Sequence, residues 1–567
     1  MWQQRSFDKT KEEDISKTGI GAFLSRLLSQ RSIPVDKCNQ FLKSNYEDLS
    51  HPYTLNGVEE ASKLFCKYAK NKEKIVVIGD YDCDGITSSS MVYELCRVLG
   101  TECKVFIPSR FDHGYGLNEK TIKAFKEKIK NPPKLLVVLD CGTNSKKEIE
   151  ELRQWGVEDV IIIDHHLPSR ECIADNASVL INWLLNKEAY NEMCTAGEVF
   201  QFIRGIRCLT KRVDPIEFLT YAALGTVADS SPIVGDNRIL VKHGLGEYAL
   251  NHARPVGLKI LINSCNIYSN YLTQTDVSFK IVPRINATGR METADLAFRL
   301  LTEYDLGISE ELVERINDLN SERKQLQGVM ESQALEKLSK ENFTHGVMLK
   351  DKSWHIGIMG IVASRVSEES MKPTIIFGNY DGKWKGSGRT VNGINIKEIL
   401  DSCSYIFERH GGHAGAVGCQ LKEEYADTAA QIFDEACKKY ISDKQKDSFK
   451  YYDATIKLKV ISHETAMLLN DSLSPYCNSI NPEPIFRISN IELYNVTLKE
   501  GDGWRVMSFH AANKECDIPY AFKYFSPKFG TDIDGKKANL YFTFPQKWDD
   551  NARFGQFELT IVDIEIL

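Results

Sequence analysis

Between Lys74 and Asn182, short β-branched apolar runs (KIVVIG, CKVFI, KLLVVL, EDVIII and SVLIN) alternate with stretches whose apolar residues recur at helical spacing. Runs that are apolar at every position suit strands buried on both faces. Their alternation with helical segments predicts a parallel, helix-flanked sheet. The domain that carries it is placed at 56–255, after a helical N-terminal region at 1–55. From Ser309 to Asn342, residues Leu312, Ile316, Leu319, Leu326, Val329, Ala334 and Leu338 step by threes and fours. This predicts one helix of about 33 residues, ~50 Å at 1.5 Å per residue, long enough to bridge two domains. Two shorter helices broken near Gly328 are the alternative, and the whole connecting region spans 256–342. A second mixed α/β region follows at 343–440, with the runs GVMLK and TIIFG and glycine-rich turns. Past the lysine-rich stretch Lys438 to Lys450 the pattern becomes TIKLKVI, IELYNVTL, WRVMSFHA, NLYFTF and FELTIVDIEI, predicting a small all-β domain at 448–567. In its last strand the apolar phase moves from Phe557, Leu559 and Ile561 to Val562, Ile564 and Ile566, the mark of a bulge or bend in a small barrel.

Composition narrows the class without naming a chemistry. A chain of 567 residues, 42% hydrophobic and 26% charged, reads as several soluble domains. No apolar run approaches the roughly 18 residues that cross a bilayer, and MWQQRSFDKTKEEDIS has no apolar signal region, so a cytoplasmic location is expected. The 15 cysteines form no CxxC pair, which points to reduced thiols and away from cysteine-bound zinc. A net charge of −7 gives no overall attraction to nucleic acid, so any polyanion site must be local or metal-assisted.

Candidate chemistry lies where the apolar runs stop. IVVIG runs into Asp80, LLVVL into Asp140 and VIII into Asp164. The carboxyl ends of strands in a parallel sheet line the ligand-binding edge, so these three should converge. DYDCDG adds Asp82 and Asp84, and in an extended segment the two-residue spacing would point all three carboxylates to one side. Carboxylates crowded together repel unless cations neutralise them. Asp229 closes the helical-looking FLTYAALGTVA. An oxygen-rich site with one imidazole suits manganese or magnesium better than zinc or copper. His165 and His166 follow Asp164 in IIIDHHLP, and on an extended segment they would face opposite sides. One would then ligate, while the other acts on substrate or orients a neighbour.

In order and strand context, DYDCDG, LDCGTNS, DHH and GTVADSSP resemble the DHH phosphoesterase superfamily and, within it, the RecJ family of single-strand-specific 5′ to 3′ DNA exonucleases. RINATGR, IGIVASR, GSGRTVNG, GGHAGAVG and NPEPIF extend the resemblance over nearly the whole chain. It implies a DHH domain, a long connecting helix, a DHH-associated domain and a C-terminal OB fold that adds a single-strand groove. The four parts would together enclose a strand in a ring or channel whose width excludes duplex. It further implies a two-metal site, Mn2+ or Mg2+, with Asp80, Asp82, Asp84, Asp140, His165 and Asp229 as ligands. His166 would face the scissile phosphate, Asp164 would be a hydrogen-bond partner, and His413 would lie near the cleavage site. Arg110, Ser387 and Arg389 look like 5′-phosphate contacts, where a guanidinium fork fits phosphate oxygens. Tyr115 would stack on a base or simply pack in its turn. Arg284 and Arg290 would follow the nucleic-acid backbone or pair with carboxylates.

The resemblance also implies a role in DNA repair and recombination and a monomer. A helicase and a single-strand-binding protein would supply a DNA strand with a 5′ end, and no membrane would be involved. This chain departs from the family pattern at Cys83, at Ser230 and Ser231, and at Val417, whose bulk would crowd the substrate path. Two other functions compete: a DHH phosphodiesterase of short oligonucleotides or cyclic dinucleotides, and a non-catalytic DNA-binding scaffold. The OB-like region argues against the first and the complete ligand set against the second.

Overall fold

The structure, a computed structural model, describes residues 2–186, 192–391, 393–440, 450–477, 480–501, 504–512, 520–525, 529–546 and 559–567. The chain divides into two compact units. One comprises Met1–Pro283, Ala297–Val313 and Phe449–Leu567, the other Arg284–Leu296 and Glu314–Ser448.

The first unit contains the expected parallel sheet. Its strands lie in the order Cys103–Phe106, Ile75–Ile78, Leu135–Leu139, Asp159–Ile163, Val179–Ile181, and every neighbouring pair is parallel. The central strands Ile75–Ile78 and Leu135–Leu139 are buried at every position, which is why their sequences are apolar without alternation. Val76, Ile78, Leu136, Val138, Val160 and Ile162 form one core with Ile122, Phe125, Ile149 and Leu152 of helices Glu119–Ile129 and Lys146–Trp155. Helices Val58–Lys70, Cys83–Leu99 and Thr195–Leu209 also pack against strands of this sheet. The register pairs Ile78 with Val138 and Leu139 with Ile163, so the three aspartate-bearing strand ends sit side by side.

The C-terminal part of the same unit is a closed barrel. Phe486–Gly501 pairs with Trp504–Ala512, then come Tyr520–Phe525, Leu559–Ile566 and Lys537–Thr543, and the last returns to Phe486–Gly501. The register breaks opposite the Ile561–Asp563 segment and leaves Val562 exposed between buried Ile561 and Ile564. A single bulge residue therefore explains the phase shift, although Phe557 lies outside the described residues. The all-β expectation needs one correction. TIKLKVI leaves the strand after Thr455 for a short helical turn, and the helix His463–Leu473 follows.

The N-terminal segment is not independent of this barrel. Ile15, Leu24, Leu27, Leu28 and Cys38 share a core with Leu458, Leu469, Phe486 and Leu540, while Trp2–Gln4 pairs in parallel with Lys450–Tyr452. Arg238, on Gly235–Gly244, is buried and donates to the carbonyls of Phe41, Ser472, Leu473, Ser474 and Pro475, tying the sheet domain to both. Much of the lysine-rich run at 438–450 lies outside the described residues.

In the second unit, Val347–Asp351, Thr374–Tyr380, Lys383–Arg389, Ala416–Leu421 and Phe407–His413 form a sheet in that order, with only the first pair parallel. The long helix is Leu306–Lys340, 35 residues without a break at Gly328. Of the expected stripe, Leu312, Ile316, Leu319 and Ala334 are buried, Leu326 and Leu338 are half-buried, and Val329 is exposed with Met330 buried in its place. Among the described residues, no helix is long and apolar enough to cross a membrane.

Candidate metal centre and nucleic-acid contacts

Six side chains gather at the carboxyl edge of the parallel sheet. Asp80 follows the first strand, and Asp82 caps the helix Cys83–Leu99, its Oδ1 accepting from the Asp84 and Gly85 N–H groups at 3.0 and 3.2 Å. Asp84 thus sits in the first turn of a helix rather than on an extended strand. The helical turn sends its carboxylate away from Asp80 and Asp82, which corrects the expectation that all three face one side. Asp140 leaves its strand with φ of +60°. Asp229 caps the end of helix Ile216–Ala228 and accepts from Ser231 Oγ at 2.8 Å.

Among the described residues three overlapping groups result. The carboxylates of Asp80, Asp82 and Asp140 approach within 4.8 Å of one another, and so do the ligating atoms of Asp84, His165 and Asp229 and those of Asp140, His165 and His166. His165 Nε2 lies 3.5 Å from Asp140 Oδ1, 4.0 Å from Asp84 Oδ2 and 3.9 Å from Asp229 Oδ1, so Asp140 stands between the groups. Neighbouring elements hold these positions. The Thr195 and Ala196 N–H groups, at the positive end of helix Thr195–Leu209, donate to Asp84 at 2.9 and 2.8 Å, and Thr195 Oγ1 donates to Asp140 at 3.0 Å. Gly225 leaves room for this packing, since a Cβ there would meet Ala196 Cβ at 2.4 Å and Asp84 Oδ1 at 2.8 Å.

The electrostatics are those of a cation site. Burial and the adjacent Asp82 push the Asp80 carboxyl up to about 8, and burial and Asp229 push Asp84 up to about 7. Burial, then Asp84 and its neighbours, hold Asp140 well above the usual carboxylate range. Asp80 Oδ1 is buried with no hydrogen-bond partner. Crowded carboxylates with an orphaned oxygen fit divalent cations, and oxygen donors with imidazole suit Mn2+ or Mg2+.

His165 and His166 do not face opposite sides. Their ring centroids are 4.6 Å apart, because the chain leaves the pleated strand at Asp164. They differ in their partners instead. His166 Nδ1 lies 2.6 Å from Asp164 Oδ1, and its Nε2 meets the Tyr115 hydroxyl. Asp164 is buried and also accepts from the Thr143 N–H at 2.8 Å. Burial works against both charges, yet the mutual hydrogen bond and attraction, with the Thr143 donor, hold Asp164 at about 2 and lift His166 to about 9. The two side chains therefore hold each other in place.

Tyr115 is 55% exposed and lies edge-on to both His166 and Tyr81, and the Arg110 guanidinium sits 5.4 Å from the Tyr81 ring. The second unit holds the remaining candidates. Arg389 Nη1 donates to Ser387 Oγ at 3.2 Å and to the Gly388 carbonyl at 2.7 Å. Both side chains border Gly360, in the first turn of helix Met359–Ser370, where a Cβ would meet Arg389 Nη2 at 2.9 Å and Ser387 Oγ at 3.1 Å. Arg284 Nε donates to Asn317 Oδ1 at 2.7 Å and Arg290 Nη1 to the Gly357 carbonyl at 3.1 Å. His413 ends its strand beside the Ala414–Gly415 turn and is exposed. Val417 is buried among Ile375, Ile396 and Leu421, so its bulk fills a core and does not crowd a substrate path. The sequence reading missed Thr143, Asn182, Thr195 and Ala196. Only the position of Thr143 inside LDCGTNS hinted at a site.

Residues 74–226 match the DHH family, N-terminal domain, and residues 341–439 match the DHHA1 domain. The single-stranded-DNA-specific exonuclease RecJ of Bacillus subtilis (strain 168) is 29% identical over 500 residues, 87% of this chain and 62% of that protein. The protein of the same name from Salmonella typhimurium is 29% identical over 512 residues, 86% of this chain and 87% of that protein. The fold matches the crystal structure of RecJ in complex with Mn2+ from Thermus thermophilus with a TM-score of 0.81 at 24% identity, over 100% of this chain and 79% of that one. A crystal structure of exonuclease RecJ bound to manganese matches with a TM-score of 0.61 at 29% identity, over 70% of this chain and 97% of that one.

Proposed function

We propose that this chain, which carries DHH and DHHA1 domains and resembles the RecJ proteins over most of its length, is a metal-dependent exonuclease that degrades single-stranded DNA from the 5′ end to mononucleotides. The observation that carries this reading is the set of ligand groups meeting at Asp140, with crowded buried carboxylates whose repulsion bound cations would relieve. Asp80, Asp82 and Asp140 would hold one ion, and Asp84, His165 and Asp229 with Asp140 the other. Two such ions would supply an activated water and charge stabilisation for the leaving oxygen.

The remaining roles belong to the protein's own groups. The His166 imidazole, fixed by Asp164, faces the scissile phosphate and stabilises charge developing there or transfers a proton. Tyr115, exposed and beside His166, offers a ring to the terminal base. Arg110, Ser387 and Arg389 recognise the 5′-phosphate, and the helix N-terminus at Gly360 adds donors of the right sign. Arg284 and Arg290 track the backbone, His413 lies near the cleavage point, and the barrel guides the single strand. The enzyme acts as a cytoplasmic monomer in DNA repair and recombination, on strands opened by a helicase and covered by a single-strand-binding protein.

Digestion of separately end-labelled single- and double-stranded DNA and RNA, with Mn2+, Mg2+ or chelator, tests the reading. Mononucleotides should appear first from the 5′ end of single-stranded DNA and only with metal. Release beginning at the 3′ end would overturn the assignment of Arg110 and Arg389.

A further inference from the structure

Asn182 ends the last strand of the parallel sheet, in an apolar run that gave no sign of chemistry. It is 1% exposed, and its side-chain amide is fully used. Nδ2 donates to the His166 carbonyl at 2.9 Å and to Thr143 Oγ1 at 3.1 Å, while Oδ1 accepts from the Leu184 N–H at 2.9 Å. With two acceptors on one side and a donor on the other, only one amide orientation satisfies all three contacts. Thr143 and His166 are the two residues that position Asp164, one through its N–H and the other through its ring. The next residue continues the connection, since the Trp183 N–H donates to Glu198 Oε1 at 2.7 Å. Glu198 is buried in the first turn of helix Thr195–Leu209, whose leading N–H groups hold Asp84. The Asn182–Trp183 pair therefore touches the support of both halves of the site.

We propose that Asn182 is a positioning residue for the reaction: its amide locks the Thr143 and His166 loops together and so sets where the Asp164-bound imidazole of His166 points. This rests on the nuclease reading above. The backbone carbonyl of His166 has no freedom to rotate while Asn182 holds it. Without that donor, the carbonyl loses the side chain that fixes its direction, and the loop is free to turn. Such a turn moves the imidazole relative to the scissile phosphate without removing any metal ligand.

The test compares the full chain with Asn182→Asp, Asn182→Ala, Thr143→Val, Thr143→Ser and His166→Ala, using 5′-phosphorylated single-stranded DNA. Asn182→Asp retains the acceptor for Leu184 but sets a carboxylate oxygen against the His166 carbonyl, whereas Asn182→Ala removes the amide without adding a charge. Both should lower kcat about 10- to 100-fold, while KM and manganese affinity stay close to wild type. Thr143→Val should lower kcat by a smaller factor and Thr143→Ser should restore it, which keeps the inference testable if Asn182→Ala does not fold. Unchanged kcat in Asn182→Asp and Thr143→Val, with His166→Ala inactive, overturns the positioning role alone. A loss of kcat that tracks lost manganese binding or a lowered melting temperature also overturns it, in favour of a structural role. An active His166→Ala, or an inactive wild type, instead overturns the reading on which it rests.

Discussion

The two regions assigned to phosphate handle charge in opposite ways. At the edge of the parallel sheet, Asp80, Asp84 and Asp140 are buried together and resist ionisation, so the phosphate binding proposed there runs through cations. In the second unit, Arg389 and Ser387 sit beside Gly360 at the start of a helix, and direct anion binding is the role proposed for that region. The first suits chemistry, because cations can polarise a bond and activate water. The second suits recognition, because a fixed fork and hydroxyl select a terminal phosphate without altering it.

If this division holds, substitutions in the two regions should fail in different kinetic constants. The largest effect is expected from Asp140→Ala, which removes the carboxylate between both groups and should lower kcat by about 10^3-fold or more with the fold intact. Steady-state release of labelled nucleotide, beside a melting curve, measures it. Arg389→Ala should leave kcat nearly unchanged and raise KM about 10- to 100-fold on 5′-phosphorylated DNA, with little effect on 5′-hydroxyl DNA. Competition between the two substrates reads that preference, and an equal loss on both would blur the comparison. The smallest effect belongs to Ser387→Ala, about threefold in the same KM, since a neutral hydrogen bond contributes less than a charged one.

The sheet edge was legible because its signal is local: an apolar run that stops on aspartate needs only its own strand to place that side chain. The arrangement of the acids was less so. Asp82 begins a helix, so two-residue spacing no longer meant one common side, and Asp84 joined His165 and Asp229 instead. His165 and His166 became neighbours because the chain leaves the strand before them. The residues that support the site, Thr195 with Ala196 and Asn182 with Thr143, are separated from what they hold by 16 to 112 positions, and nothing in the chain pattern marks such contacts. The same holds for the pairing of Trp2–Gln4 with Lys450–Tyr452, which merges the N-terminal segment into the barrel's core.

Counting bound manganese by calorimetry and electron paramagnetic resonance tests the central claim most directly, comparing the wild type with Asp82→Ala and Asp229→Ala. Two ions per chain are expected in the wild type, with a spectrum showing magnetic coupling, and one uncoupled ion in each variant, because each loses a ligand from a different group. A single ion in the wild type, or two undiminished ions in both variants, would contradict it.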